Sequence, residues 1–386
     1  MKFITALCRI IVGPLFIFSG WIKLNDPLGF SYKLDEYFDV LHIPFFKDYA
    51  LVIAILLSVF EVGLGVVVIL GYRMKLFSWL LFLLIVFFTF LTFYSAYFKV
   101  VQDCGCFGDL MHLTPWTSFS KDVALLFLTG VILLQRKKIR PMLKEKAGMM
   151  VTISGFVIAS AYAIFCYRHL PVVDLRPYKI GTNIIEAMKL PPNAVTDSTV
   201  VTYKYKNIKS GEIKSFDQKN IPWQDTLNWE EVKGSQEVKV IREGTKPAIH
   251  DFKLTDMIGG DIAENDSTYT NYFLTLNKPS FFLISYDLKK SDHDKDLMKK
   301  INEFYDACRK DSISLIGLTG TIPKEIDAYK HEFNALYDFY NCDETALKTI
   351  IRSSPGLVLI KHGTVLAMWH HNDFPKYEEV KTKYFK

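Results

Sequence analysis

The chain has 386 residues, 50% of them apolar and 23% charged, and carries a net charge of +5. Apolar residues crowd into the first 170 positions, where 76–98 and 147–167 contain no Asp, Glu, Lys or Arg; about 20 such residues cross bilayer hydrocarbon as a helix, which excludes a wholly soluble protein. Residues 1–148 hold 15 Lys and Arg against 10 Asp and Glu, the entire excess, and its centre is the run Arg136-Lys137-Lys138-Ile139-Arg140 through Lys146. A basic run between two apolar segments is a topology signal, so nucleic acid is not expected as a partner.

Five spans are predicted, at about 4–24, 49–71, 76–98, 119–135 and 147–167. The fourth is the shortest, with only 13 residues after Lys121 and Asp122. If all five cross, the N-terminus and the loops 72–75 and 136–146 are cytoplasmic and carry nine Lys and Arg, against three or four in the loops 25–48 and 99–118. Everything after residue 167 then lies outside. In a bacterial cell this describes a multi-pass inner-membrane protein with a periplasmic C-terminal region. The first span reads as a retained helix, because Arg9 interrupts it and no A-x-A-like site precedes Asn25.

Charges within spans are costly unless paired. Glu61 falls near the middle of span two, and the long side chain of Arg9 reaches toward it from span one. An Arg9–Glu61 pair is expected, either as a structural clamp or as part of a proton or quinone site. Lys23 and Asp26 sit at the outer boundary and read as snorkelling anchors. Trp21, Trp79 and Tyr94 suit the interfacial belts.

Of the six cysteines, the most informative are Cys104 and Cys106, separated by Gly105 in the outer loop after span three. Glycine tolerates the dihedrals a very small ring requires. Such a ring is strained, hence more reducible, and closes too little chain to act as a staple. A tight turn with two structural thiols is the alternative. C-x-C is not the usual zinc spacing, and no metal is expected.

Residues Arg9, Gly13, Ser19-Gly20, Lys23, Asp26-Pro27, Glu61, Gly65 and Cys104-Gly105-Cys106-Phe107-Gly108 resemble the pattern of the MauE/DoxX-type membrane proteins, distant relatives of the vitamin K epoxide reductase-like bundle. The resemblance covers roughly residues 1–140. It implies a four-helix membrane domain engaged in redox work, including support of disulfide formation in secreted partners; MauE is tied to maturation of methylamine dehydrogenase. The vitamin K epoxide reductase-like enzymes carry a membrane-embedded C-x-x-C beside a quinone. This chain has none, so no cofactor is evident and a quinone lacks support.

Residues 168–246 read as a β-rich juxtamembrane segment, with a hairpin formed by 200–207 and 212–217 and a further strand at 237–241. From 247 to 386, strands at 280–288, 313–320 and near 338–342 alternate with helices at 292–308, 323–336 and 343–352; a strand pair at 356–370 and a helix at 374–385 follow. Residues 249–256, Lys278-Pro279 and Ser354-Pro355 resemble the thioredoxin-like domains of the TlpA/peroxiredoxin kind. That register puts the active-site cysteines at Lys289 and Asp292, where both thiols are missing. Ser291 or Asp292 is the expected N-cap of the following helix. Cys308 and Cys342 are expected to be separate thiols, buried and inert, with a structural disulfide between them as the alternative, and His370-His371 to be packed or solvent-facing rather than metal ligands.

The fold class is therefore multi-domain, an α-helical transmembrane bundle of four helices plus a fifth, followed by a soluble α/β thioredoxin-like domain. Two functions compete. In the first, Cys104 and Cys106 exchange disulfides or electrons with an envelope partner recruited by the redox-dead soluble domain, which is itself no enzyme. In the second, the protein is a non-enzymatic scaffold of the cell envelope, partnered by other membrane or envelope proteins and by the bilayer.

Overall fold

The computed structural model describes residues 2–101, 108, 113–192, 194–195, 198–217, 220–223, 225–232, 235–242, 244–257, 268–291 and 293–385. The chain opens with α1 (Lys2–Asn25) and α2 (Pro27–Val40). A 3-10 turn at Pro44–Tyr49 leads into α3 (Ala50–Leu70), followed by α4 (Met74–Phe98), α5 (Pro115–Gln135) and α6 (Glu145–Arg168). Among the described residues, five helices are long and apolar enough to cross a membrane. The fourth starts earlier than its apolar run suggests, because Thr114 caps it by accepting from Thr117 N at 3.3 Å.

Helix α2 lies where a loop was expected. Its start is specified locally: the Asp26 carboxylate accepts from Gly29 N at 2.9 Å, and Pro27 occupies the first turn, a position where its missing N–H costs nothing. Its apolar stripe of Phe30, Leu34 and Tyr37 is buried, with Phe30 and Leu34 packing against Ala50 and Ala54 of α3.

Small residues set the register of α1 on α3. A Cβ on Gly65 would come within 2.7 Å of the Gly13 carbonyl oxygen, and one on Gly20 within 3.0 Å of the Ser58 carbonyl oxygen. Close backbone approach of this kind is how membrane helices gain packing without a hydrophobic driving force. Around that seam, Val12, Phe16, Leu64, Val68, Leu81 and Ile132 form the core of the bundle.

By packing, the chain forms two compact units, 184–250 and the remainder. The smaller contains α7 (Ile184–Ala187), β1 (Ser198–Asn207), β2 (Ile213–Asp217), β3 (Trp229–Glu231) and β4 (Glu237–Arg242). Strand β1 pairs antiparallel with the other three, and the expected hairpin forms with Tyr205 opposite Lys214. The rings of Tyr205, Phe216 and Trp229 meet edge to face.

The larger unit continues with α8 (Thr268–Thr275), β5 (Ser280–Ile284), α9 (Lys295–Lys310), β6 (Ser314–Thr319), α10 (Pro323–Phe333), β7 (Phe339–Asn341), α11 (Glu344–Ile350), β8 (Gly356–Lys361), β9 (Thr364–His370) and α12 (Tyr377–Tyr384). The strands lie in the order β7-β6-β5-β8-β9, with β5, β6 and β7 parallel and β8 and β9 antiparallel to their neighbours. All five residues of β5 are buried, which explains a continuous apolar run in place of alternation. Strand β5 ends at Ile284, short of the expected 288. Helix α9 starts at Lys295 because Asp294 is its N-cap, accepting from Leu297 N at 3.3 Å; Ser291 instead bonds the Ser354 hydroxyl at 2.7 Å, and Asp292 lies outside the described residues. The Ser354–Pro355 peptide is cis.

Candidate functional site

The polar residues at the end of α1 build the site. Lys23 Nζ lies 2.6 Å from Glu61 Oε2, and the two side chains are only 3% and 5% exposed. Ser19, one turn back on α1, accepts from the same ammonium at 3.1 Å, and the rings of Phe88 and Phe30 lie 4.9 and 5.4 Å from it. The expected Arg9–Glu61 pair does not form. Arg9 is level with the far end of α3, where its guanidinium donates to the carbonyls of Val68 at 2.9 Å and Ile69 at 2.7 Å. The reason is the helix register: Gly20 faces Ser58 and Val62, while Gly13 faces Gly65 and Ile69. Lys23 is correspondingly not a snorkelling anchor but an inward-facing partner of Glu61.

Three residues on, Asp26 turns to the C-terminal half of the chain. Arg352 Nε lies 2.9 Å from both Asp26 oxygens, and its Nη2 lies 2.9 Å from Oδ2. Burial pushes the Asp26 carboxyl upward, but the Arg352 charge and hydrogen bonds, aided by Arg176 and Gly29 N–H, outweigh it and hold the group below its usual value. Arg352 also donates to Lys348 O. Tyr32 of α2 lies beneath both cations, 4.8 Å from Lys348 Nζ and 5.7 Å from the Arg352 guanidinium carbon; burial pushes its hydroxyl up to about 12. The segment after α6 reinforces the junction: Asn25 donates to Val173 O at 2.7 Å, and Arg176 bonds Asp174 at 2.7 Å and Ile350 O at 3.1 Å.

Beneath this junction is a cavity of about 690 Å³. Helix α2 contributes Lys33, Asp35 and Asp39, and the C-terminal half contributes Lys290, Lys348 and Arg352. One Asp35 oxygen is buried with no hydrogen-bond partner among the described residues, and burial raises its carboxyl despite the nearby Lys47 and Lys348. Gly108 also lines the cavity. Cys104 and Cys106, four and two residues before it, lie outside the described residues.

The other sequence-singled residues fall elsewhere. Cys308 and Cys342 are buried free thiols, and burial pushes the Cys342 thiol up to about 12. The two histidines are packed against each other, His370 accepting from Asn372 N at 3.2 Å and His371 meeting the Ser353 hydroxyl at 3.0 Å. Lys289 pairs with Glu325 at 2.6 Å. Sequence reasoning missed Arg352, which has no local signal. It also missed the inward aim of Lys23, for which Ser19 and the glycine stripe were the available clues.

Residues 1–135 match the family described as methylamine utilisation protein MauE. The match covers four of the five membrane-length helices together with Lys23, Asp26, Glu61 and the Cys104–Cys106 loop. The chain thus has a MauE-type membrane region joined to a C-terminal region of sheets and helices. No curated protein and no solved structure matches the chain.

Proposed function

We propose that this is a redox protein of a bacterial inner membrane. Its N-terminus is cytoplasmic, its C-terminal region is periplasmic, and Cys104 and Cys106 exchange disulfides with an envelope partner. The carrying observation is that Gly108, on the cysteine loop, lines the same 690 Å³ cavity as Lys290, Lys348 and Arg352. A partner segment held by the C-terminal domain in that cavity is thereby brought to the loop. A partner thiolate attacks one sulfur of the Cys104–Cys106 disulfide and the other sulfur leaves as thiolate. A second partner thiolate then resolves the mixed disulfide. The partner is oxidised by two electrons and the loop reduced by two, and a second disulfide carrier or a membrane quinone takes those electrons on.

The C-terminal domain is read as thioredoxin-like but redox-inactive. Its mixed sheet, with helix α9 following the central β5, supports that reading, and Lys289 takes the position of one lost thiol. Ser354, the hydroxyl partner of Ser291, lines a cavity of about 860 Å³ together with Leu28, Tyr32 and Asp35 of α2. The face that would meet a substrate in a free domain is turned to the protein's own membrane region.

Cells expressing Cys104→Ser or Cys106→Ser provide the test. One of the two single variants should accumulate a mixed disulfide with a specific envelope protein, and the double variant should not. If redox titration of the 100–120 peptide finds thiols that never pair, or a bond that resists strong reductant, the exchange reading is lost and the scaffold reading stands. Reporter fusions after residues 140 and 200 should report opposite sides of the membrane.

A further inference from the structure

We propose that the bundle holds a binding site for a single hydrocarbon chain with a neutral, hydrogen-bonding head, taken up from the lipid phase. The site is a cavity of about 260 Å³ between α1, α4 and α5, which shares only Lys23 with the lining of the cavity at the cysteine loop and is independent of any role for those cysteines. Its long walls are apolar, with Ile11, Leu15 and Phe16 on α1 and Ala124, Leu125 and Leu128 on α5. Ile11, Leu15 and Ala124 are also exposed on the outside of their helices. Both helices are long and apolar enough to cross a membrane, so the mouth between them opens on lipid, and the occupant comes from that phase.

The shape fits a chain. From Ile11 to Lys23 the wall of α1 extends twelve residues, about 18 Å at the helical rise. The chemistry at one end fixes the head. Lys23 pairs there with Glu61 at 2.6 Å, and Lys121 with Asp122 at 3.0 Å, while Thr92 donates to Asp122 at 3.0 Å. All four charged residues line the cavity. Two cations and two carboxylates balance, so a charged head would add an uncompensated charge in a low-dielectric setting. A hydroxyl or carbonyl head instead finds both donors and acceptors. A clamp between α1 and α3 accounts for Lys23–Glu61 alone. It does not account for a second pair, on a different helix, converging on the same space, and intramembrane charges gathered around one cavity are the mark of a ligand path.

Two lipid-phase sources share this chemistry, acylglycerols and lipid quinones. Native mass spectrometry of the full-length protein released from micelles tests the site with four ten-carbon probes: 1-decanoylglycerol, a decyl-substituted benzoquinone, decanoate and decyltrimethylammonium. At least one neutral probe should bind saturably at one per chain, and both charged probes at least tenfold more weakly. Ala124→Trp and Leu15→Trp, which fill the mouth from opposite walls, should each weaken the neutral probe at least tenfold. Val123→Trp, on the lipid face of α5 but off the cavity, should leave it unchanged. Binding of both neutral probes supports selection by head chemistry alone, and binding of the benzoquinone alone supports the same site with a quinone as occupant. The proposal is overturned if neither neutral probe binds, if adducts accumulate alike in all variants without saturating, or if the charged probes bind as well as the neutral ones.

Discussion

Lys23 and Asp26 are three residues apart, yet their ion pairs work in opposite settings. Lys23–Glu61 is almost wholly enclosed by α1, α3 and aromatic rings, whereas Asp26–Arg352 borders an open polar cavity and joins the first helix hairpin to a residue 326 positions later. Coulomb's law is the same for both, but the alternative to pairing is not. A charge left unpaired at Lys23 or Glu61 belongs to a side chain only 3% or 5% exposed, while Asp26 is 21% exposed even beside Arg352 and keeps the Gly29 N–H without it. The first pair is therefore costly to break and decides whether the bundle packs. The second is cheaper and decides whether the two halves of the larger unit stay together.

The comparison is most exposed to a change at Glu61. Glu61→Gln strands the Lys23 ammonium and should destabilise the bundle by about 3–5 kcal/mol, read as loss of thermal stability in detergent. Adding Lys23→Met should restore most of that loss, whereas adding Arg9→Gln should not. Recovery with Arg9→Gln rather than Lys23→Met would mean that the register of α1 on α3 is wrong.

Next in size is Arg352→Ala, which removes charge-assisted hydrogen bonds worth roughly 1.5–3 kcal/mol. Proteolysis within 168–183 should speed up while the unfolding of the bundle stays put. Asp26→Asn sharpens this further, since Asn caps helices about as well as Asp: it should free the C-terminal half but leave α2 intact. Its pH dependence has a definite sign. The Asp26 value is lower in the folded state than its ordinary value near 3.9, so its contribution is complete above that value and disappears as pH falls through the folded one. Wild-type protein should thus shed protection of 168–183 below about pH 4, and Arg352→Ala should show little further change there.

A smaller effect of opposite sign is expected at Asp35. Its carboxyl is raised by burial, so the charged form penalises the folded state at neutral pH. Asp35→Asn should raise the melting temperature slightly at pH 7, with the gain vanishing below about pH 4, where folded and unfolded carboxyls are both protonated. An equal gain at both pH values would argue for a packing effect. Finally, native alkylation should label at most Cys104 and Cys106, because Cys8, Cys166, Cys308 and Cys342 are all buried; rapid labelling of Cys342 would show that the C-terminal core opens more readily than its packing implies.

Much of the architecture was legible because it rests on local pattern. Apolar stretches of membrane length give the five spans, and the apolar run 280–284 followed by an amphipathic helix gives β5 and α9. Helix α2 was hidden because its stripe is short and interrupted by Lys33, Asp35 and Glu36, although Asp26-Pro27 is a recognisable start. The partner of Glu61 was misread for a different reason. Reach along one helix was weighed without the register between two, and that register is carried by Gly13, Gly20 and Gly65, residues that touch neither charge. Arg352 was illegible in principle, since nothing near it in sequence indicates what it meets.

The junction also has a timetable. Asp26 leaves the ribosome among the first residues and caps α2 with its own side chain, but the guanidinium that completes its coordination follows 326 residues later. At 5–20 residues per second this is an interval of about 15–65 s. For the first part of it, until Arg176 is made, the Asp26 carboxylate has only the Gly29 N–H for company. A chain cut short before residue 352 lacks the guanidinium that donates to both Asp26 oxygens, so the coordination of this carboxylate separates finished from unfinished copies of the protein.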